Sequence, residues 1–285
     1  GRLSEDNPNA RNIVPENIAK NPLSLWISWV SPLSGKPWWI TFNAFPIFPN
    51  WPAKTEQEFV QPYQIVVLRG DGFVPQAQMS ELEILKDMLC FFVRLNDSSS
   101  LKDKRKFRVA INSWYYSKDL SAPKAGATQA QAHGQMVRFI FPVERAPLKL
   151  ERTIGNVRIS TLADYKNWGT GIALEIQKSH IEEAATIAYQ IIKEITSKGN
   201  SFNVLITPID EQQIKIFIVD RPVGTPSPYF NNEWAYCEFG RVPIVDAPVL
   251  FYKLSNEQKK SYKEAESQNK VLEWAKREKK DKRLQ

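Results

Sequence analysis

Two stretches of the chain repeat apolar residues at helical spacing. Leu82, Leu85, Met88, Leu89 and Phe92 make one stripe, which predicts a helix over Ser80–Val93. Ser80 with Glu83 three residues on has the capping-box arrangement, and Ser179 with Glu182 repeats it. The second pair opens a helix over Ile181–Thr196, packed through Ile181, Ala184, Ala185, Ala188, Ile191, Ile192 and Ile195. Bulky β-favouring runs predict strands at Trp38–Phe42, Tyr63–Leu68, Phe107–Trp114, Met136–Val143, Val157–Ile159, Phe202–Thr207 and Ile214–Val219. The last two read as a hairpin around Asp210–Gln212. Pro46, Pro49 and Pro52 forbid regular structure between Asn43 and Lys54. Residues 1–20 read as a polar arm, 96–106 as a charged loop, and Leu254–Lys280 as a highly charged terminal helix. Strands and helices do not alternate, so the expected fold class is α+β. Pro142–Pro147 reads as a hinge between two lobes, residues 1–147 and 148–285.

Composition narrows the class. At 42% hydrophobic residues the chain is globular rather than disordered. No run approaches the roughly 20 apolar residues of a membrane helix, and the first residues lack a signal-peptide pattern, so a cytoplasmic protein without membrane association is expected. Cys90 and Cys237 sit in apolar surroundings and read as buried free thiols. Two cysteines and two histidines, none closely spaced, form no zinc pattern, and no metal is expected. The net charge of +7 owes much to the run Lys276–Arg283. That run suits the solvated C-terminal end of a helix. It lacks the interleaved aromatics of a nucleic-acid surface, so nucleic acid is not the expected partner.

The chemistry narrows to one residue. There is no phosphate-binding P-loop, no Gly-rich dinucleotide turn, no nucleophile elbow and no paired metal-binding histidines. His180 stands at the first turn of a helix and reads as a surface residue. His133 lies in Gly126-Ala127-Thr128-Gln129-Ala130-Gln131-Ala132-His133-Gly134-Gln135, entering an apolar strand. Alternation puts Gln131, His133 and Gln135 on one face of an extended segment. A neutral imidazole flanked by amides suits a phosphoryl group: the ring attacks, and the amides donate to oxygens that gain charge. A hydrogen-bonded core histidine beside a turn is the bland reading of the same spacing.

The decapeptide resembles the Gly-Ala-Ser-x-x-His-x-His-x-Gln signature of the galactose-1-phosphate uridylyltransferase branch of the histidine-triad superfamily. The register needs no gap. Phe42-Asn43-Ala44-Phe45-Pro46 is similar to the family's Asn-x-Phe-Pro stretch, and Phe107-Arg108-Val109-Ala110-Ile111-Asn112-Ser113 to its Phe-Arg-x-x-x-Asn-Ser. Phe141-Pro142-Val143-Glu144-Arg145-Ala146-Pro147 resembles a segment of GDP-L-galactose phosphorylases. Phe202–Thr207 is similar to a strand shared by those enzymes and diadenosine tetraphosphate phosphorylases.

The resemblance implies tandem histidine-triad-like lobes, each a mostly antiparallel sheet with helices. It also implies a nucleotidyltransferase or phosphorylase acting on a nucleoside diphosphate sugar, without a cofactor, with phosphate or a sugar phosphate as acceptor and a homodimer as one assembly. His133 falls on the family's nucleophile and Gln135 on its phosphoryl-binding glutamine. Thr128 falls on the phosphate-contacting serine, and Asn43 and Asn112 on nucleotide-binding positions. Arg145 is a candidate for the leaving phosphate. Gln131 replaces the first histidine, which orients the site and ligates zinc in zinc-containing members, and Asn21–Ser24 stands where their cysteine pair would be. These changes imply a metal-free branch. They also motivate the alternative of a non-catalytic relative that keeps the fold and nucleotide binding.

Overall fold

Hydrophobic residues at every second position pair the strands into one sheet and fill the space under two helices. β1 (Trp26–Val30), β2 (Pro37–Phe42) and β3 (Gln64–Arg69) precede helix α1 (Leu82–Asp97), and β4 (Arg108–Asn112) and β5 (His133–Val137) follow it. β6 (Leu148–Ile154), β7 (Val157–Leu162) and β8 (Gly171–Gln177) then precede α2 (Ile181–Ser197), which β9 (Ser201–Pro208) and β10 (Gln213–Arg221) follow. The computed structural model describes residues 26–42, 64–72, 74–97, 106–113, 131–138, 140–162 and 171–221. The proline-rich segment from Asn43, Thr128, Cys237, the polar arm and the charged C-terminal segment lie outside the described residues.

The ten strands form a single sheet of order β1-β2-β3-β5-β4-β9-β10-β8-β7-β6, antiparallel throughout. Read inward from either edge, the order is the same: first, second, third, fifth, fourth strand of each half, with a helix after the third. The halves meet where β4 pairs β9, from Val109↔Ile206 to Asn112↔Asn203. The expected α+β class is therefore observed, as a large antiparallel sheet carrying two helices.

Both helices lie on one face. Ile84, Leu85, Met88, Leu89, Phe91 and Phe92 of α1 join Ala184, Ala185, Ala188, Ile192 and Ile195 of α2 in one core. The strands contribute Val67, Val109, Ile111, Met136, Val204, Ile206, Ile216 and Ile218 to it. Each large side chain so buried contributes about 1.5–3 kcal/mol. Gly134 lets α1 approach β5, because a Cβ there would collide with the end of Met88. On the opposite face a smaller cluster of Ala110, Val137, Leu162, Ala173, Leu205, Phe217 and Val219 is covered by Phe141 and Val143.

Several boundaries differ from the sequence reading. β5 starts at His133, not Met136, and ends at Val137; the end of the expected strand, Pro142 and Val143, instead falls in a 3-10 turn, Pro142–Arg145. α1 runs on to Asp97, into the expected loop, because Asn96 stays in the core and bonds both backbone groups of Phe107, donating to its carbonyl (3.1 Å) and accepting its N–H (2.7 Å). The capping box of α2 does not form: a 3-10 turn over Lys178–His180 leads in, and His180 is the cap, without a side-chain bond. β1, β6 and β8 were not legible in the pattern, and β6 shows why. It is an edge strand whose residues from Lys149 onward are exposed, held by pairing to β7 rather than by an apolar face. The hairpin expected around Asp210–Gln212 is present, joining β9 to β10.

Candidate functional site

The face away from the helices is organised in rungs, because each register pair places side chains of neighbouring strands side by side. One rung is apolar at its centre: Gln135, Ala110, Leu205, Phe217 and Ala173 follow one another across five strands. Two residues further along β4, Asn112 stands beside Asn203, and His133 lies on the same side of β5 as Gln135. Two residues the other way, Arg108 pairs Val137, and Thr207, Lys215 and Glu175 stand in line. A polar rung and a charged rung are thus separated by an apolar one.

His133 is held on both its backbone and its ring. Its position in β5 opposes Leu68 of β3, and its side chain is 5% exposed. On the β4 side, the ladder bonds end at Ala110↔Gln135, and the side chain of Gln76 takes their place. The Gln76 amide oxygen accepts the His133 N–H (2.8 Å), while its nitrogen donates to the carbonyls of Asn112 (2.7 Å) and His133 (3.2 Å). Gln76 is fully buried and so acts as a wedge that satisfies both strands where they part. Losing it would leave buried backbone groups unsatisfied, at about 1–3 kcal/mol each.

The ring nitrogen Nδ1 lies 2.8 Å from the backbone carbonyl of Gln131. A carbonyl only accepts, so Nδ1 carries the proton and Nε2 keeps its lone pair. Burial lowers the imidazole pKa below its usual 6.5, outweighing the opposing pull of that carbonyl. The ring is therefore a neutral base with a defined tautomer.

The other sequence candidates divide. Gln135 is half-buried and faces the same side as His133. Asn112 is buried on the neighbouring strand, its Oδ1 accepting from Asn203 Nδ2 at 2.8 Å across the junction of the two halves. Gln131 does not share the face as alternation suggested: its carbonyl orients His133, but its side chain turns to the β3–α1 connection. There it accepts the Val74 N–H (3.1 Å) and donates to the carbonyls of Arg69 (3.0 Å) and Gly72 (3.2 Å), fully buried. Gly72, at φ +97°, supplies the turn that this amide closes. Arg145 is exposed at the Arg108 end of the face, away from His133. Asn43 and Thr128 lie outside the described residues.

Two features escaped sequence reasoning. Gln76, between a proline and the first helix, carries no periodic signal. The Arg108–Glu144 pair joins residues 36 apart in the chain: Nε and Nη2 donate to the carboxylate at 2.9 and 3.0 Å, and Nη1 to the Lys106 carbonyl at 2.7 Å. Glu144 also accepts the Phe141 N–H at 2.8 Å, which fastens the turn over the sheet. Among the described residues no three His, Cys, Asp or Glu side chains cluster as metal ligands would, and no helix is long and apolar enough to cross a membrane.

No family model matches this chain, and no curated protein matches it. Among solved structures it is similar to a DUF4931 family protein from Bacillus cereus ATCC 10987, at 16% identity and a TM-score of 0.47. The alignment covers 73% of this chain and 89% of that one.

Proposed function

We propose that this protein transfers a nucleotidyl group through a covalent intermediate on His133. The observation that carries the reading is the Nδ1 contact with the Gln131 carbonyl, which leaves Nε2 as the nucleophile on a buried, neutral ring. In the first step the Nε2 lone pair attacks the α-phosphorus of a nucleoside diphosphate sugar. The bond from that phosphorus to the bridging oxygen breaks, and the sugar phosphate leaves with the electron pair. In the second, an oxygen of phosphate or of a sugar phosphate attacks the same phosphorus. The N–P bond breaks, and its electrons return to Nε2. Gln135 and Thr128 donate to the phosphoryl oxygens, and Asn112 and Asn43 hold the nucleotide. Gln131 acts through its backbone carbonyl as a positioning residue.

The same reading takes the matching strand orders as two tandem histidine-triad-like lobes, residues 1–147 and 148–285, of which the first carries the nucleophile. Support for this division is topological: each half runs three strands, helix, two strands, and adds them to the sheet in the same order.

A second reading has its own observation. The Gln131 amide is bound by the Arg69–Val74 backbone and, unlike the histidine it replaces in the resemblance, takes up no proton. A relative that binds nucleotides without transferring them fits that. Intact-mass measurement after incubation with a panel of nucleotide sugars separates the two. Transfer predicts an added nucleotidyl mass that is absent in His133→Ala, with turnover reduced about 10²–10³-fold in Gln135→Ala. Binding without an adduct selects the second reading. An adduct that persists in His133→Ala removes the nucleophile assignment.

A further inference from the structure

At the charged rung the same sheet face opens into a cavity of about 240 Å³, lined by Arg108, Glu144, Arg145, Thr207 and Lys215 beside Ile140, Pro208 and Ile209. Among the described residues, the cations Arg108, Arg145 and Lys215 line it, and Glu144 and Glu175 pair two of them, which leaves an excess of one positive charge. Two of the cations are preset. Arg108 is locked by Glu144 and the Lys106 carbonyl, and Lys215 by Glu175 at 3.1 Å, with side chains only 7% and 13% exposed. Arg145 is different: it is exposed, and among the described residues it has no ion pair. Thr207 adds a hydroxyl between the strands of Arg108 and Lys215.

We propose that this cavity is a binding site for a small oxyanion, a phosphate or a terminal phosphoryl group, with Arg145 as the cation that closes on it. The chemistry follows from the lining. Glu144 and Glu175 offset the fixed Arg108 and Lys215, so the exposed guanidinium of Arg145 supplies the positive excess, with the forked donor geometry that suits phosphoryl oxygens. Size follows from the volume, which is below the roughly 300–1,000 Å³ of pockets that enclose a drug-sized ligand. One tetrahedral anion fits within it. The site uses the Arg145 expected to take a leaving phosphate, but it stands apart from His133 itself. It lies four residues along β4 from Asn112, about 13 Å at strand rise, so an anion here is not the phosphorus that His133 attacks.

Calorimetric titration of the full chain tests this, with inorganic phosphate in one arm and a hexose 1-phosphate in the other. Saturable one-to-one phosphate binding is expected, weakened about tenfold or more in Arg145→Glu. It should be retained in His133→Ala and in Lys149→Glu, which reverses a 73%-exposed cation elsewhere on the surface. Both variants at Arg145 and Lys149 change exposed side chains, and equal melting temperatures confirm that the fold is kept. If phosphate binds and the hexose phosphate does not, the anion is free phosphate; tighter binding of the hexose phosphate makes it a terminal phosphoryl group. The proposal fails if phosphate does not saturate, if Arg145→Glu binds as well as the wild type, or if Lys149→Glu weakens binding equally. Loss of binding in His133→Ala alone would move the anion to the other rung and overturn it as well.

Discussion

Neutrality of the His133 ring at pH 7 has a direct consequence for pH dependence. Burial lowers its pKa in the folded protein below the ordinary 6.5. Below pH 6.5 the unfolded chain therefore takes up a proton that the folded chain does not, and the equilibrium moves toward unfolding. Above 6.5 neither state is protonated and this contribution to stability is complete; it declines as pH falls from 6.5 toward the folded pKa. Nitrogen-15 NMR of the imidazole is expected to show an Nδ1-protonated ring that stays neutral to below pH 6.5. A ring titrating at or above 6.5, or protonated at Nε2 when neutral, would contradict both the burial and the Gln131 contact. Sequence alternation placed His133 and Gln135 on one side correctly. It failed for Gln131, because that residue precedes the strand, where it makes an isolated bridge to Pro75, and its amide answers three backbone groups of a turn.

At the scale of elements, what decides the geometry is how irregular segments are fastened to regular ones. Asp87 of α1 accepts from Ser31, Ser34 and Trp38, which ties the helix to the β1–β2 turn. Arg69 at the end of β3 grips Asp71 with two bonds and reaches Glu83 at the start of α1, while its guanidinium lies over Trp38. The Phe141–Arg145 turn is held over the junction of the two halves by the Arg108–Glu144 pair and by Phe141 and Val143 in the apolar cluster. Removing one partner strands the other charge, so Glu144→Ala is expected to lower unfolding free energy by about 3–5 kcal/mol in urea denaturation. Replacing both, Arg108→Met with Glu144→Leu, should recover most of that loss. A single variant as stable as the wild type would show the pair to be a bystander. The helices were legible because their apolar stripes are local. The turn at 142–145 was not, since its reason for existing is an ion pair across 36 residues.

For the molecule as a whole, the important join is β4 against β9. Four registered pairs and the Asn112–Asn203 amide bond cross it. On the helix face, a continuous core runs beneath α1 and α2 together, and Lys86–Glu182 bridges them at 2.8 Å. A sheet so joined is expected to unfold as one unit, although its halves repeat a topology. Native-state hydrogen exchange should give the slowest amides of β3 and β5 the same opening free energy as those of β9 and β10. Two well-separated values would mean that each half folds on its own. On the face away from the helices the first half carries His133, Gln135 and Asn112, while Phe141 and Val143 cover an apolar cluster drawn from both halves.

The sequence by itself determined the two amphipathic helices, most of the central strands, the α+β class and the shared side of His133 and Gln135. These depend on neighbours three to four residues apart in a helix or two apart in a strand, and such spacings are written in the chain. Only the tertiary structure decided the edge strands, the Gln76 wedge between β4 and β5, the turning away of Gln131 and the gathering of Arg108, Arg145 and Lys215 around one cavity. Each of these arises from groups tens of residues apart that meet only once the sheet is registered. Hydrogen bonds and ion pairs between such groups leave no periodic trace along the chain.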